Sequence, residues 1–280
     1  VKITLSRILT ALYGILFVLF LVLTLTLKIE EATSVYMTGY LAKILEPHVE
    51  NNLLLVLSYA VCVILPYFMG STMFAVLISK EKYGRDIRDL GSKNAGMTNM
   101  FRVYGKHAGI ATALGDSLKT AAAIFLGRFV LGEVGAYLAA LFAVLGHMAP
   151  LWFKFRGGKG VISSATAMLV LDPIYFAVCL VVFCLVFFTT HWVSMGSIAA
   201  AFVYPAVVYY GAKIRSGGAY SATLPAMIFA CFVGVMVIFM HRQNIRRVYY
   251  GEEKKMYLSK KKRQAVAEAE KQLKEEKKRK

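Results

Sequence analysis

The sequence predicts an all-α integral membrane protein: a seven-helix membrane core with one extra transmembrane helix ahead of it. Three observations predict this. Of 280 residues, 58% are hydrophobic and 18% charged, whereas a soluble domain carries about 25% charge and about 45–50% apolar residues. Apolar runs approach the length of about 20 residues that crosses a hydrocarbon core of about 30 Å. The excess positive charge, +17 in all, falls almost entirely on one side of the topology that these runs define. Such hydrophobicity excludes a disordered chain.

The runs are 8–27, 53–79, 109–127, 131–149, 161–171, 174–189, 194–212 and 222–241. The first, ILTALYGILFVLFLVLTLTL, carries no charge. It is longer than a signal-peptide core of about 7–15 residues, and no A-x-A-like cleavage site follows, so a retained helix is expected. The third run contains Asp116 and Lys119 on one helix face. The fifth is short and stops at Asp172–Pro173, which makes it the weakest full span. Cys62, Cys179, Cys184 and Cys231 all lie within apolar runs and read as packing residues, with neither disulfide nor zinc spacing.

With the N-terminus inside, one face collects Lys2 and Arg7, the loop 80–108 with seven basic and three acidic residues, Lys154, Arg156 and Lys159, and everything after 241. The other face collects Lys28 and Lys43 against Glu30, Glu31, Glu46 and Glu50, then Arg128, Glu133, Asp172, Lys213 and Arg215. The positive-inside rule makes the first face cytoplasmic. The chain thus divides into an N-terminal extension, 1–52, a membrane core, 53–252, and a basic cytoplasmic tail, 253–280. From 254 on, the tail holds twelve basic and four acidic residues. It reads either as a solvated segment or as one drawn to anionic lipid headgroups, at about 1 kcal/mol per basic residue near the surface. No recognition motif accompanies the charge, so nucleic acid is not an expected partner.

Three cytoplasmic segments are rich in glycine, cations and amides. The first runs from Asp86 to Gly105 and contains Gly91-Ser92-Lys93-Asn94-Ala95-Gly96-Met97-Thr98-Asn99 and Arg102. Its glycines allow close backbone approach, its hydroxyls and amides donate hydrogen bonds, and the Arg88 and Arg102 forks suit phosphate. The second is Gly146-His147-x-x-Pro150, then Phe155-Arg156-Gly157-Gly158-Lys159-Gly160-Val161. Glycines before a helix can aim N–H groups at an anion, with Lys159 as a point charge. It is no Walker A loop, since Gly160 follows the lysine. The third is His241-Arg242-x-Asn244-Ile245-x-Arg247, then Gly251-Glu252-Glu253. Its 241, 244 and 247 positions share one helix face. Asp116 and Lys119 form either a local ion pair or part of a cavity wall. Of Ser194 and Ser197, one is expected to cap its helix and the other to meet a ligand.

The five histidines make no close ligand pair, no G-x-S-x-G elbow occurs, and no His-x4-Asp arrangement is present. No metal and no cofactor are expected. A cationic and neutral donor set suits phosphate binding and stabilisation of developing negative charge. An organic-phosphate transporter would want similar residues near the midplane. The chain shows no internal repeat, and the motifs cluster on one face. A membrane anchor with a docking tail would leave the three loops unexplained.

These motifs resemble those of bacterial membrane acyltransferases that transfer an acyl group from acyl phosphate to glycerol 3-phosphate. The family's G-S-G-N-x-G-A-T-N…R is matched by Gly91 to Asn99 and Arg102. Its G-H-x-x-P…F-[RK]-G-G-K-G-V is matched by Gly146 to Pro150 and Phe155 to Val161. Its H-R-E-N-I…R…G-x-E is matched by His241 to Ile245, Arg247 and Gly251 to Glu253. Asp116 with Lys119, and Val193 to Ile198, also fit. The resemblance runs from about residue 53 to 256. Lys93 and Met97 replace small residues, Gln243 an acid, Thr120 a glycine and His191 a basic residue.

The resemblance implies a bacterial cell-membrane enzyme with seven helices around a cytoplasm-facing groove. It implies acyl transfer to the 1-hydroxyl of glycerol 3-phosphate, giving 1-acylglycerol 3-phosphate and phosphate, the first step of phospholipid synthesis. It implies catalytic roles for Lys159, Arg102, Ser92 and His241, and substrate binding by Asn99, Thr98, Gly157, Gly158, Gly160, Ser197, Asn244 and Glu253. Ser92, Arg102, Lys159 and Ser197 would hold phosphate groups, while His241 and Asn244 would place the acceptor.

Overall fold

The computed structural model describes residues 4–26, 52–216 and 224–256, and these form helices and turns only. The outer-loop charges expected at 28–50 and the basic tail beyond Met256 lie outside the described residues.

Helix α1, Leu5–Thr26, has 22 residues and is about 33 Å long at about 1.5 Å per residue, enough to cross a bilayer. The next apolar stretch, Leu53–Tyr83, is broken into α2, Asn52–Gly70, and α3, Phe74–Tyr83. Gly84, at φ +67°, ends α3 by donating its N–H to the Lys80 carbonyl. Lys80 and Lys82 in the last turn complement the helix dipole. The short helix α4, Met97–Tyr104, lies between Gly96 and Gly105.

Helix α5, Lys106–Met148, spans 43 residues but is a hairpin. At Leu131 and Gly132 the backbone leaves the helical region, with Gly132 at φ +58°. A Cβ on Gly135 would stand 2.1 Å from the Gly127 carbonyl oxygen, and one on Gly127 would stand 2.6 Å from the Ala139 Cβ. Residues twelve apart in one straight helix would lie about 18 Å apart. The expected runs 109–127 and 131–149 are therefore the two antiparallel arms, in backbone contact through small residues as membrane helices often are. Arg128 and Glu133 pair across the turn at 3.6 Å.

Helix α6, Val161–Leu171, has 11 residues, about 16 Å, so the run 161–171 is half a span rather than a whole one. Asp172 and Pro173 are the reason. The Asp172 carboxylate accepts from the Ile174 and Tyr175 N–H groups, each at 3.1 Å, and caps α7, Pro173–Thr190, with proline in its first turn. Val161 and Met168 of α6 line one cavity with Phe176 and Phe183 of α7. Gly158 and Gly160 are buried, so the glycine-rich loop ahead of α6 is recessed inside the bundle. Helix α8, Val193–Ser216, and α9, Leu224–Met240, follow. The chain then bends by 51° at His241 into α10, Arg242–Tyr249.

The core joins Ala136, Ala140 and Val144 of α5 to Ala167, Tyr204, Phe229 and Val233. Large apolar side chains such as Leu185, Phe188 and Phe202 point outward, as a lipid-facing surface requires. Cys62 and Cys179 are buried and Cys231 is exposed; all four cysteines are free thiols. Replacing Asp172 with alanine should cost about 1 kcal/mol through loss of the α7 cap. Thermal unfolding in detergent should show a lowered midpoint for Asp172→Ala and a smaller drop for Asp172→Asn.

Candidate functional site

The first loop is shaped by its own polar side chains. Asp86 accepts from the Arg88 backbone N–H at 2.9 Å and from the Arg88 guanidinium at 2.8 Å. Arg88 Nη1 also donates to the Phe153 and Arg156 carbonyls, at 2.9 and 3.2 Å. The Arg88 fork expected to suit phosphate instead ties the first loop to the second. Asn99 is buried, and its amide nitrogen donates to the carbonyls of Ile87, Leu90 and Asn94 at 3.0–3.2 Å. Its oxygen accepts from the Ser92 N–H at 2.8 Å. Asn99, expected as a substrate donor, thus has its amide engaged in folding the loop. Gly91 lies at φ +60°, and a Cβ there would stand 2.3 Å from Asn99 Oδ1, so glycine is required by both criteria.

The second loop approaches His147 closely. A Cβ on Gly157 would stand 2.1 Å from the His147 carbonyl, and one on Gly158 would stand 2.2 Å from His147 Nε2. The Gly158 N–H donates to the His147 carbonyl at 3.1 Å. Gly157 and Gly158, expected to cradle substrate, are not among the cavity-lining residues; they let this loop reach the helix hairpin. Gly160 does line the cavity, as the N-cap of α6.

The third segment supplies a carboxylate. Glu253 accepts from Ser194 Oγ at 2.7 Å, Asn244 Nδ2 at 2.6 Å and Arg247 Nε at 2.7 Å. Asn244 Oδ1 accepts in turn from Lys159 Nζ. Three backbone bonds strap residues 253–256 onto the bundle. Trp192 Nε1 donates to the Glu253 carbonyl, Arg102 Nη2 to the Lys254 carbonyl, and the Met256 N–H to the His191 carbonyl. The expected tail boundary at 253 falls within this strap. Neither serine of α8 acts as an N-cap in these bonds: Ser194 holds Glu253, and Ser197 donates to its own Val193 carbonyl at 2.9 Å.

The three segments and α8 enclose one cavity of about 360 Å³. Ser92, Thr98, Asn99, Arg102, Lys159, Gly160, Ser197, His241, Asn244 and Glu253 all line it. Lys93, a departure from the resembling motif, does not; it is exposed and sits at φ +58°. Asp116 and His147 line the cavity as well. Behind them Lys119 is buried, with its ammonium 2.7 Å from Asp116 Oδ1, 3.0 Å from His147 Nδ1 and 2.5 Å from the Thr72 carbonyl. The ammonium thus has an ion pair with Asp116 and hydrogen-bond contacts with the Thr72 carbonyl and His147. Both readings of Asp116 and Lys119 therefore hold: they pair, and the pair backs the cavity wall. His147 was missed as a site residue. Its only signal was its place in Gly146-His147 at the end of an apolar run.

Burial pulls the Lys159 ammonium down to about 8, with Arg247 and Arg102 adding repulsion against the attraction of Glu253. Burial, then Lys159, lowers His241 to about 4, so its imidazole is neutral at pH 7. Its Nδ1 lies 2.8 Å from the Val237 carbonyl. A carbonyl only accepts, so the proton is on Nδ1 and the Nε2 lone pair is bare. For Glu253, burial acts upward, but the hydrogen bonds from Arg247, Ser194 and Asn244 prevail and hold it below the usual carboxylate range. The polar end of the cavity is thus a cationic, hydroxyl-rich chamber. Its other end, at Val161, Ile162, Phe183 and Ser197, adjoins a second cavity of about 210 Å³ lined by Met168, Phe176, Cys179 and Leu180. Together they match a molecule with a phosphate head and an apolar chain.

Two outcomes follow for this chamber. Lys93→Gly should leave KM for a phosphate ligand unchanged and raise stability by about 1 kcal/mol, because only the left-handed backbone strain is removed. Above pH 8 the free protein loses the Lys159 charge, so kcat/KM for a phosphate substrate should fall on an alkaline limb near pH 8. Lys159→Arg should shift that limb upward, since guanidinium stays protonated.

The chain is similar to known proteins in sequence and in fold. The family described as "Glycerol-3-phosphate acyltransferase" matches residues 60–251. A glycerol-3-phosphate acyltransferase of Clostridioides difficile (strain 630) is 37% identical over 207 residues, covering 72% of this chain and 97% of the relative. One of Bacillus cereus (strain G9842) is 41% identical over 198 residues, covering 71% and 95%. The crystal structure of PlsY (YgiH), an integral membrane glycerol 3-phosphate acyltransferase, is similar in its glycerol 3-phosphate form, with TM-score 0.64, 30% identity and coverage of 71% and 96%. Its lysophosphatidic acid form matches with TM-score 0.61, 28% identity and the same coverage.

Proposed function

The chain belongs to the glycerol-3-phosphate acyltransferase family, and from that premise we propose that its cavity transfers an acyl group from acyl phosphate to the 1-hydroxyl of glycerol 3-phosphate. It is a multi-pass membrane protein, and the phosphate chamber faces the cytoplasm, the side on which its basic loops collect. The observation that carries the reading is the pairing of Arg102 and Lys159 in one chamber that adjoins an apolar cavity.

Both substrates carry phosphate, and the two cations with Ser92, Thr98 and Ser197 hold them. The N-terminus of α4, with Gly96, Met97 and Thr98 on the cavity wall, adds a positive dipole end. The acyl chain of the donor lies between α6, α7 and α8. The acceptor hydroxyl attacks the acyl carbonyl carbon. The new ester C–O bond forms as the C–O bond to phosphate breaks, and the electron pair leaves with phosphate. The hydroxyl proton goes to a phosphate oxygen. His241 Nε2 accepts a hydrogen bond from the acceptor and Asn244 fixes its orientation, without either being the essential base. Acyl phosphate is already activated, so orientation and charge stabilisation supply much of the rate. Basic residues beyond 256 attract anionic headgroups and hold the chamber at the membrane surface.

Turnover of the purified chain with its variants tests this reading. Arg102→Ala and Lys159→Ala should each lose at least about a hundredfold in kcat/KM, the scale of a lost transition-state donor. His241→Ala should lose only about tenfold, below the 10²–10⁴ of a true general base. A folded, substrate-binding His241→Ala with no turnover would instead make His241 the base. Added chelator should leave the wild-type rate unchanged.

A further inference from the structure

Helix α1 lies ahead of the region that matches the family, residues 60–251, yet it makes polar contacts unlike those of a simple anchor. The Glu81 carboxylate accepts from the backbone N–H and hydroxyl of Ser6, at 3.0 and 2.5 Å, and so caps the start of α1. About two turns on, the Tyr13 ring is buried edge-on against Phe74, centroids 6.1 Å apart. Its hydroxyl lies 3.0 Å from Thr72 Oγ1 and 3.4 Å from the Met69 carbonyl.

Thr72 is in the break between α2 and α3, inside an apolar stretch. A broken helix within a bilayer leaves carbonyls that neighbouring side chains must satisfy. Here two donors reach the break. Tyr13 binds it from one side, and Lys119 donates to the Thr72 carbonyl from the other. Lys119 in turn holds Asp116 and His147, both on the cavity wall. Phe74, beneath Tyr13, occupies the space beside Gly115, where a Cβ would stand 2.3 Å from its ring. The residue after Gly115 is Asp116. A polar and an apolar contact path thus both run from Tyr13 to Asp116.

We propose that Tyr13 is a positioning residue for acyl transfer: through Thr72 it fixes the carbonyl that holds Lys119, and with it the Asp116 and His147 side chains of the cavity wall. The assay rests on the acyltransferase reading. The cations Arg102 and Lys159 belong to other segments, so the loss falls on kcat rather than on KM. Small displacements of a cavity wall lower turnover by disturbing the reacting geometry.

The test uses the full chain in lipid nanodiscs with palmitoyl phosphate and glycerol 3-phosphate. Tyr13→Phe keeps the ring against Phe74 and removes only the hydroxyl. Thr72→Val removes its partner, and Thr72→Ser restores one. Tyr13→Phe and Thr72→Val should each lower kcat about three- to tenfold, with KM for glycerol 3-phosphate within about twofold. The double variant should be no slower than either single, and Thr72→Ser should approach wild type. Wild-type kcat in Tyr13→Phe, or losses that multiply in the double variant, would overturn the proposal. So would equal losses in Thr72→Val and Thr72→Ser, a comparison that holds even if Tyr13→Phe does not fold. An inactive wild-type chain would count instead against the acyltransferase reading.

Discussion

Charged groups inside an apolar bundle persist only where acceptors and donors match, and in this chain the Glu253 carboxylate meets that need for the reaction chamber. It draws together Ser194 of α8 and Asn244 and Arg247 of α10. Asn244 passes the connection to Lys159 on the recessed glycine loop. A buried ion group that loses one partner costs several kcal/mol, because the other charge stays desolvated. Loss of this carboxylate would therefore leave Arg247 without its ion pair and Asn244, which holds Lys159, without its anchor, while the backbone bonds of the strap 253–256 would remain.

A second constraint comes from the interrupted helices. The α2–α3 break, the α5 turn and the 11-residue α6 all place irregular backbone within the bundle. In hydrocarbon such backbone survives only against protein partners. Lys119 serves the first break. Gly160 caps the start of the short α6, and with Lys159 beside it lines the chamber that Phe183 and Phe187 of α7 also wall. Burial there lowers the Lys159 affinity for protons to about 8.

Much of the architecture was legible because membrane constraints write themselves into composition. Apolar runs located the helices, and Asp172–Pro173 already marked 161–171 as short. The three loops met as their motifs implied, and ten of the twelve expected site residues line one cavity. What was not legible depends on partners that only the folded chain brings together. Asn99 lines the cavity but also folds its loop, because the carbonyls of Ile87, Leu90 and Asn94 accept from its amide. Gly157 and Gly158 serve close approach to His147, ten and eleven positions earlier. His147 itself joins Lys119 across 28 positions, which no local spacing encodes. Arg88 read as a phosphate fork but finds Asp86 and two backbone carbonyls instead.

The central claim is that one cationic chamber uses an activated acyl phosphate directly. Its most direct test offers the purified wild-type chain labelled glycerol 3-phosphate with either palmitoyl phosphate or palmitoyl thioester, in the presence of chelator. Labelled 1-acylglycerol 3-phosphate formed from the acyl phosphate alone, with release of inorganic phosphate in equal amount, is the predicted result. Product formed from the thioester and not from the acyl phosphate would contradict it.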